Sequence, residues 1–375
     1  MHIPLVDLRA QHARIASDLM AAVSRVVDEQ RFILGPEVDG FENELARYLG
    51  VRHVVGVASG TDALVLALHS LGIGAGDDVI TTAYSFAATA EAIVRVGARP
   101  VFCDIDRDSM NLSPASVRQV ADTYASKRTR RLRALIVVHL FGLPADMEAL
   151  SAIAREFNLD VLEDAAQALG ARVDGRLVGA MSTAGCFSFF PSKNLGGWGD
   201  GGAVATNRDD IASRVRRLRV HGTTTPDHHE EVGYNSRLDA LQAAVLRVKL
   251  PHVDNWNEER SRVAAWYREA LAGVEGVPAS PRTGIEHAHH QFVVRVNDRA
   301  NVQQRLAKEG IASQVYYPQP LPKQRAFVEY DASSVPEAEE ASTTALALPM
   351  YPELPREHVL RVCEVLRGCR HALVR

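Results

Sequence analysis

The sequence predicts an α/β protein: a large domain with a mostly parallel, mixed sheet flanked by helices, and a smaller C-terminal α+β domain. Three observations carry this expectation. Short β-branched runs alternate with helical segments between His53 and Asp164, the pattern of strands joined by crossover helices and covered on both faces. Two more apolar runs, CFSFF and GGAVATN, follow one another with no room for a helix between them, so the sheet is expected to be mixed there. Beyond about Leu250 the alternation stops, which places a boundary near Pro251 and divides the chain into residues 1–250 and 251–375.

The elements can be taken in order. HVVGVA reads as a strand and leads into GTDALVLALHSLG, where Ala63, Leu64, Ala67, Leu68 and Leu71 recur at helical spacing. DDVITTA, SFAATAEAIVRVG and PVFCDI repeat the unit. ALIVVHL, PADMEALSAIAREFN and DVLEDA repeat it again, with Pro144 expected to open the helix. PHVDNWNEERSRVAAWYREALAG then reads as a long helix leaving the main body, followed by a strand, QFVVRV, and a helix around VQQRLAKEG.

Composition narrows the partners. At 375 residues the chain exceeds what one hydrophobic core usually serves, and 46% hydrophobic with 23% charged residues argues against long disorder. Basic side chains number 42 against 46 acidic, a formal net charge of −4, which gives no electrostatic case for nucleic acid. The basic run KRTRRLR, Lys127 to Arg133, lacks interleaved aromatics and precedes the apolar ALIVV, so it is expected to be a solvated loop. The N-terminus lacks an apolar signal core, and no apolar run approaches the roughly 20 residues a bilayer crossing needs. Cys103, Cys186, Cys363 and Cys369 have no zinc-ligand spacing and fit a reducing compartment. A soluble, cytoplasmic protein without a membrane partner is the expectation. His228, His229, His287, His289 and His290 lack the carboxylate or cysteine pattern of a metal site.

The chemistry is concentrated in four segments. Lys193 stands between CFSFF and the glycine-rich NLGGWGDGGAV, where a lysine at the mouth of a sheet can form an imine with an aldehyde cofactor; a solvated strand end is the alternative. In SGTDAL, Gly60 allows close backbone approach and Thr61 carries a hydroxyl at a helix N-terminus, whose free amides suit a phosphate or simply an ordinary cap. LDVLEDAAQ places two acids, Glu163 and Asp164, at a strand end facing the crevice where α/β proteins bind ligands. One of the pair should face inward, and Asp164 there would keep a pyridine nitrogen protonated. In TTAYSFAAT, Phe86 or Tyr84 offers an aromatic face for a planar ring, unless it belongs to the core. Ser188 could reach the same phosphate as Thr61. Together these segments point to pyridoxal phosphate.

The ordered set GTDAL, SFAATAEAI with GARPVFCDID, EDAAQALGA, SFFPSKNLGGWGDGGAV and YNSRLDALQAA resembles the DegT-type nucleotide-sugar aminotransferases, pyridoxal-phosphate enzymes of fold type I, the aspartate aminotransferase fold. The resemblance covers nearly the whole chain, including RFILGPEVDGFENELARYLG and QVYYPQPL. It implies that Lys193 is the imine lysine, that Asp164 pairs with the pyridine nitrogen, that Gln167 lies on the ring-hydroxyl side and that Phe86 stacks on the ring. It further implies that Gly60, Thr61 and Ser188 hold the phosphate, that Asn235 reaches over from a second subunit in a homodimer, and that the cofactor cycles through pyridoxamine phosphate. L-glutamate would be the donor and a nucleotide-diphosphate keto-sugar the acceptor, with Arg219, His221, Arg237, Tyr316 and Tyr317 as candidate substrate contacts. Pro191 before the lysine, with KNLG and GDGG, looks more like members that aminate a 3-keto than a 4-keto sugar. Pro322, where a histidine is frequent, and the KRTRRLR segment depart from the family and bear on the substrate alone. Related dehydratases of this fold replace the lysine with histidine; this chain keeps it. Two rivals remain: a nicotinamide-dependent oxidoreductase, whose G-x-G-x-x-G the early strand lacks, and a non-catalytic sensor that binds the cofactor without turnover.

Overall fold

The computed structural model describes residues 2–127, 131–225, 227–330 and 334–369. Helices α1 (Leu8–Glu29) and α2 (Pro36–Leu49) precede an alternating series: β1 (His53–Val57), α3 (Gly60–Ser70), β2 (Asp77–Thr82), α4 (Ala88–Arg95), β3 (Arg99–Cys103), α5 (Pro114–Lys127), β4 (Arg131–Val138), α6 (Met147–Glu156) and β5 (Asp160–Asp164). A small hairpin, β6 (Arg172–Val173) and β7 (Arg176–Leu177), leads to β8 (Ala184–Ser188) and β9 (Gly202–Thr206). Then come α7 (Asp209–Leu218), the short pair β10 (Thr223–Thr225) and β11 (His228–His229), α8 (Ala240–Lys249) and α9 (Val253–Ala270). The remainder holds β12 (Ile285–Glu286), which pairs with β6, then β13 (Phe292–Arg295), α10 (Arg299–Lys308), α11 (Pro336–Thr344), β14 (Ala345–Leu348) and α12 (Arg356–Arg367).

Alternation along the strands assigns the helices to their faces. In β1, Val54 packs with α2 and α8, whereas Val55 and Val57 pack with α3 and α7. In β4, Ala134 and Ile136 join the α3 side, whereas Leu135 and Val137 meet α5 and α6. Both faces are dry, so the strands read as continuous apolar runs. The seven strands lie in the order β1-β9-β8-β5-β4-β2-β3. Only β9 runs against its neighbours, which gives the mostly parallel, mixed sheet that the sequence predicts. The ends of β5 and β8 lie side by side, with Asp164 opposite Cys186 and Ser188 two residues further on.

A second core lies outside the sheet. β13 and β14 pair antiparallel, Tyr267 of α9 stacks on Phe292 with ring centroids 4.7 Å apart, and α10 and α12 contribute Leu306, Val359 and Val362. The N-terminal segment joins this core: Ile3 is buried in it and bonds Gly310 and Ala312 through its backbone. α9 does not simply leave the main body, because Val253 at its start packs in the sheet's core and Tyr267 near its end packs in the second one.

Two local expectations are corrected. Pro144 does not open α6; the helix starts at Met147, and Asp146 caps it by accepting from the Ala149 amide, a shorter-range interaction that outranks the proline signal. The basic run is not wholly a solvated loop. Arg131 to Arg133 already belong to β4, where Arg131 and Arg133 pair with Asp77 of the neighbouring strand, a buried carboxylate that draws them into the ladder. Residues 128–130 of that run lie outside the described residues. Among the described residues, no helix is long and apolar enough to cross a membrane.

Gly185 shows how tightly the sheet meets the turn below it: a Cβ there would lie 2.1 Å from the Gly179 carbonyl oxygen and 2.5 Å from its Cα. Gly185→Ala is expected to lower unfolding free energy by roughly 1–3 kcal/mol, since backbone must move to admit the methyl group. A urea midpoint equal to that of the wild type would contradict this packing.

Candidate active site

The two acids at the end of β5 point to opposite sides, as strand alternation requires. Glu163 turns into the protein and is fully buried. Its carboxylate accepts from the Gly179 amide at 2.6 Å, the Met181 amide at 2.9 Å and the Ser182 hydroxyl at 2.8 Å. His139 supplies a fourth donor at 3.1 Å; its Nδ1 accepts from the Ala145 amide, so the proton on Nε2 faces Glu163. Burial raises the Glu163 pKa, but these donors outweigh it and hold the group below the usual carboxylate range. Glu163 therefore anchors the turn at residues 179–182.

Asp164 faces the crevice. Thr89 donates to one oxygen at 2.8 Å and the Ala166 amide to the other at 3.2 Å. Burial raises its pKa, opposed by those donors and by the charge of Lys193. The lysine is perturbed in turn: burial pushes Lys193 down to about 8, with Asp164 resisting. An acid and an amine thus share one crevice with their charged forms disfavoured by desolvation, a common property of reactive centres.

The segment carrying Lys193 is pinned on all sides. Its own amide donates to the Phe190 carbonyl. Asn194 bonds Asn257 at 2.6 Å and the Ala288 carbonyl at 2.7 Å, and His290 meets its oxygen at 3.2 Å. The buried Lys249 donates to the Gly196 carbonyl at 2.7 Å, and Gln242 accepts from the Trp198 amide at 2.7 Å. From below, Phe41 of α2 meets Phe189 edge-on at 5.2 Å. Gly196 is required here: a Cβ would come within 2.1 Å of the Pro191 carbonyl oxygen.

The phosphate-suited corner forms where α3 begins. Ser59 caps the helix by accepting from the Asp62 amide at 3.0 Å, so Thr61 is not the cap and the Gly60 and Thr61 amides that precede it stay available. Gly60 lies so close to β8 that a Cβ would sit 2.6 Å from the Ser188 Cβ. Gly60, Thr61 and Ser188 therefore border one cradle at a positive helix end.

Other expected residues divide between the site and the scaffold. Phe86 is 58% exposed, with Tyr317 its ring neighbour at 6.3 Å. Tyr84 is core, 1% exposed; its hydroxyl donates to the Tyr316 carbonyl at 2.7 Å and accepts from the Tyr317 amide at 2.8 Å. Of the two aromatics, Phe86 keeps an exposed face and Tyr84 does not. Gln167 accepts from the Phe141 amide and donates to the Tyr317 hydroxyl at 3.0 Å, which brings Tyr317 beside Asp164; burial raises the phenol's pKa. Tyr316 is half-buried next to it. Arg219 is corrected as a substrate contact: it is 7% exposed and locked in an ion pair with Glu42 and a bond to the Gly56 carbonyl at 2.8 Å. His221 and Asn235 are exposed on the segment around β10 and β11, and Arg237 is half-buried with no side-chain partner among the described residues. A cleft of about 920 Å³ near Asn111, Arg268 and Arg295 touches none of these groups.

Sequence reasoning missed Thr89, His139, Asn194 and Lys249. A threonine among alanines, or an asparagine after a lysine, carries no distinguishing pattern; Lys249 carries one, a lysine inside the apolar VLRVKL.

The model of the DegT/DnrJ/EryC1/StrS aminotransferase family matches residues 13–367. The chain is 44% identical over 370 residues to the UDP-N-acetyl-3-dehydro-alpha-D-glucosamine 3-aminotransferase of Acidithiobacillus ferrooxidans, covering 98% of each chain. It is also 44% identical over 369 residues to a pleiotropic regulatory protein of Geobacillus stearothermophilus, covering 97% of each. Among solved structures, S. venezuelae DesV in complex with a ketimine intermediate superposes with a TM-score of 0.94 at 42% identity over the whole of both chains.

Glu163→Gln is expected to cost roughly 2–4 kcal/mol at neutral pH, because an amide NH₂ would face the donors that the carboxylate now accepts from. Since Glu163 is held below its ordinary value of 4.5, its contribution is present above that value and lost as pH falls through the lower, folded-state one. The variant's deficit in urea should therefore be larger at pH 7 than at about pH 3. Equal deficits at both would contradict the assignment.

Proposed function

The chain belongs to the DegT/DnrJ/EryC1/StrS aminotransferase family, and from that premise we propose that it transfers the amino group of L-glutamate to C3 of a nucleotide-linked keto-sugar, acting as a homodimer in the cytoplasm. The observation that carries the reading is the placement of Lys193 within reach of the charge of Asp164, which ends β5 beside the Ser188 end of β8 against which the start of α3 packs.

Pyridoxal phosphate is the cofactor of this enzyme, and the residues present fit it: an amine for an aldehyde, an acid for a ring nitrogen, an exposed aromatic for a ring face, and a glycine cradle that a Cβ would fill. When bound, it supplies an electron sink for charge developing at the carbon that bears the amino group. Lys193 does the proton work. With its pKa near 8, about a tenth of the amine is neutral at pH 7, so Nζ can accept a proton from the donor's carbon and return it nearby. Asp164, charged, would be the acid that keeps the cofactor's ring nitrogen protonated. The Gly60 and Thr61 amides and the Ser188 hydroxyl would hold the phosphate, Phe86 would cover a ring face against water, and Gln167 with Tyr317 would orient the ring oxygen.

The acceptor is argued from fewer groups. The Acidithiobacillus relative is named for a UDP-linked 3-dehydro sugar, and Pro191 with the KNLG and GDGG stretches agrees with it. Arg237, half-buried without a carboxylate partner among the described residues, and the exposed His221 suit a diphosphate; Tyr316 and Tyr317 suit the sugar. Asn235, exposed and bridged to Val220 on the segment around β10 and β11, suits a contact to the phosphate of a second subunit. Four free, buried thiols favour a reducing compartment. A regulatory role has in its favour the names of relatives, the Geobacillus regulatory protein and a Saccharopolyspora sensory transduction protein; the retained lysine favours turnover.

The purified protein should be yellow, bleach with L-glutamate, and regain colour when a UDP- or dTDP-linked 3-keto sugar is added, with mass spectrometry reading an amine in the product. Colour indifferent to every amino donor would support the regulatory role, and amination of 4-keto sugars alone would overturn the C3 assignment. Reloading of cofactor-free protein should speed up as pH rises through about 8, where Lys193 loses its charge; a rate flat across that range would speak against the lysine's depressed pKa. Asn235→Ala should lose cofactor faster on dialysis, and unchanged retention would remove the cross-subunit contact.

A further inference from the structure

We infer that Thr89 is a positioning residue for Asp164: together with Ser85 it forms a buried hydroxyl relay that keeps this carboxylate charged and aimed, and that fastens to it the loop bearing Phe86. The inference rests on the proposed cofactor reading, since it assigns a role toward the ring nitrogen.

The relay is defined by geometry. Thr89 is 1% and Ser85 3% exposed. Thr89 Oγ1 lies 2.8 Å from Asp164 Oδ2, and Ser85 Oγ lies 3.0 Å from Thr89 Oγ1. A carboxylate offers only lone pairs, so the threonine proton points at Asp164, and the serine hydroxyl must then be the donor to threonine. Successive hydroxyl dipoles aligned on a buried charge reinforce one another. The other carboxylate oxygen has the Ala166 amide at 3.2 Å.

The surroundings make this donor consequential. Lys193 acts on Asp164 by its charge, Tyr317 stands beside it, held by Gln167, Cys186 lies opposite on β8, Glu163 precedes it on β5, and His139 is engaged with Glu163. Desolvation drives the Asp164 pKa up, and the Thr89 bond is the foremost influence drawing it down. Without that bond the carboxyl would take up a proton at higher pH and lose its hold on a protonated ring nitrogen.

The same threonine fixes the aromatic cover. Its amide donates to the Phe86 carbonyl at 3.2 Å, and Ser85 and Thr89 flank Phe86 along the chain. Phe86 itself is mostly exposed. One loop, tied at Asp164, therefore sets both the ring-face contact and the ring-nitrogen contact.

The test uses the coloured holoenzyme, dialysed at a series of pH values, with retained absorbance giving the midpoint of acid release. Thr89→Val keeps the branched shape and removes the donor; its midpoint should move up by about one pH unit, and kcat should fall about tenfold near neutral pH with KM little changed. Thr89→Ser should restore the wild-type midpoint. A wild-type midpoint in Thr89→Val overturns the inference, as does weakened retention of equal size at every pH, or a serine variant as impaired as valine, which would place the effect in the methyl group. Ser85→Ala, a milder change, should shift the midpoint the same way by less; no shift contradicts the relay. A colourless wild-type protein would instead sink the cofactor reading itself.

Discussion

The structure depends on one electrostatic constraint: a carboxylate and an amine, Asp164 and Lys193, occupy a crevice poor in water, where neither charge is well solvated. Each group moderates the other without the two collapsing into a closed surface pair. Desolvation lowers the lysine enough to leave usable neutral amine, while directed donors keep the acid from taking up a proton permanently. A cofactor that places a positively charged ring nitrogen against the acid and an aldehyde against the amine meets both needs.

The scaffold can be read as the means of holding that crevice. Parallel strands deliver their carboxyl ends to one edge, so Asp164 on β5 and Ser188 on β8 emerge as neighbours, and the start of α3 meets them across a space that only glycine at position 60 leaves open. β9, running the other way, returns the chain so that the lysine segment is closed at both ends: Phe189 bonds Gly201 and Gly197 bonds Phe189. Polar side chains then fix the loop from outside, Lys249 at Gly196, Gln242 at Trp198 and Asn194 at Asn257. On the far side of the strand, Glu163 gathers four donors and anchors the turn at residues 179–182 to β5.

Much of this was legible in the sequence. Alternating runs gave the layered sheet, and the absence of a helix between CFSFF and GGAVATN gave its reversed strand. Lys193 and Gly60 stood out because apolar strand, punctuation and helix start fall in fixed order along the chain. Adjacent acids at a strand end were legible as a pair, but their division of labour was not, since which face is dry depends on helices distant in sequence. Arg219 shows the same limit from the other side: its partner, Glu42, lies 177 positions away, and no local pattern distinguishes a buried pair from a phosphate contact. Pro144 misled because the cap that follows it, Asp146, is the stronger signal, and Thr89 was silent because its importance lies in a bond to strand β5, 75 positions away.

The central claim is that the amine of Lys193 carries the cofactor. Borohydride reduction of the coloured protein, followed by proteolysis and mass spectrometry of the peptides, tests it directly. The account predicts a single phosphopyridoxyl group on the peptide containing Lys193, with Lys249 unmodified despite its similarly lowered pKa. A label on Lys249 or any other lysine, or none on a protein that was yellow before reduction, would contradict it.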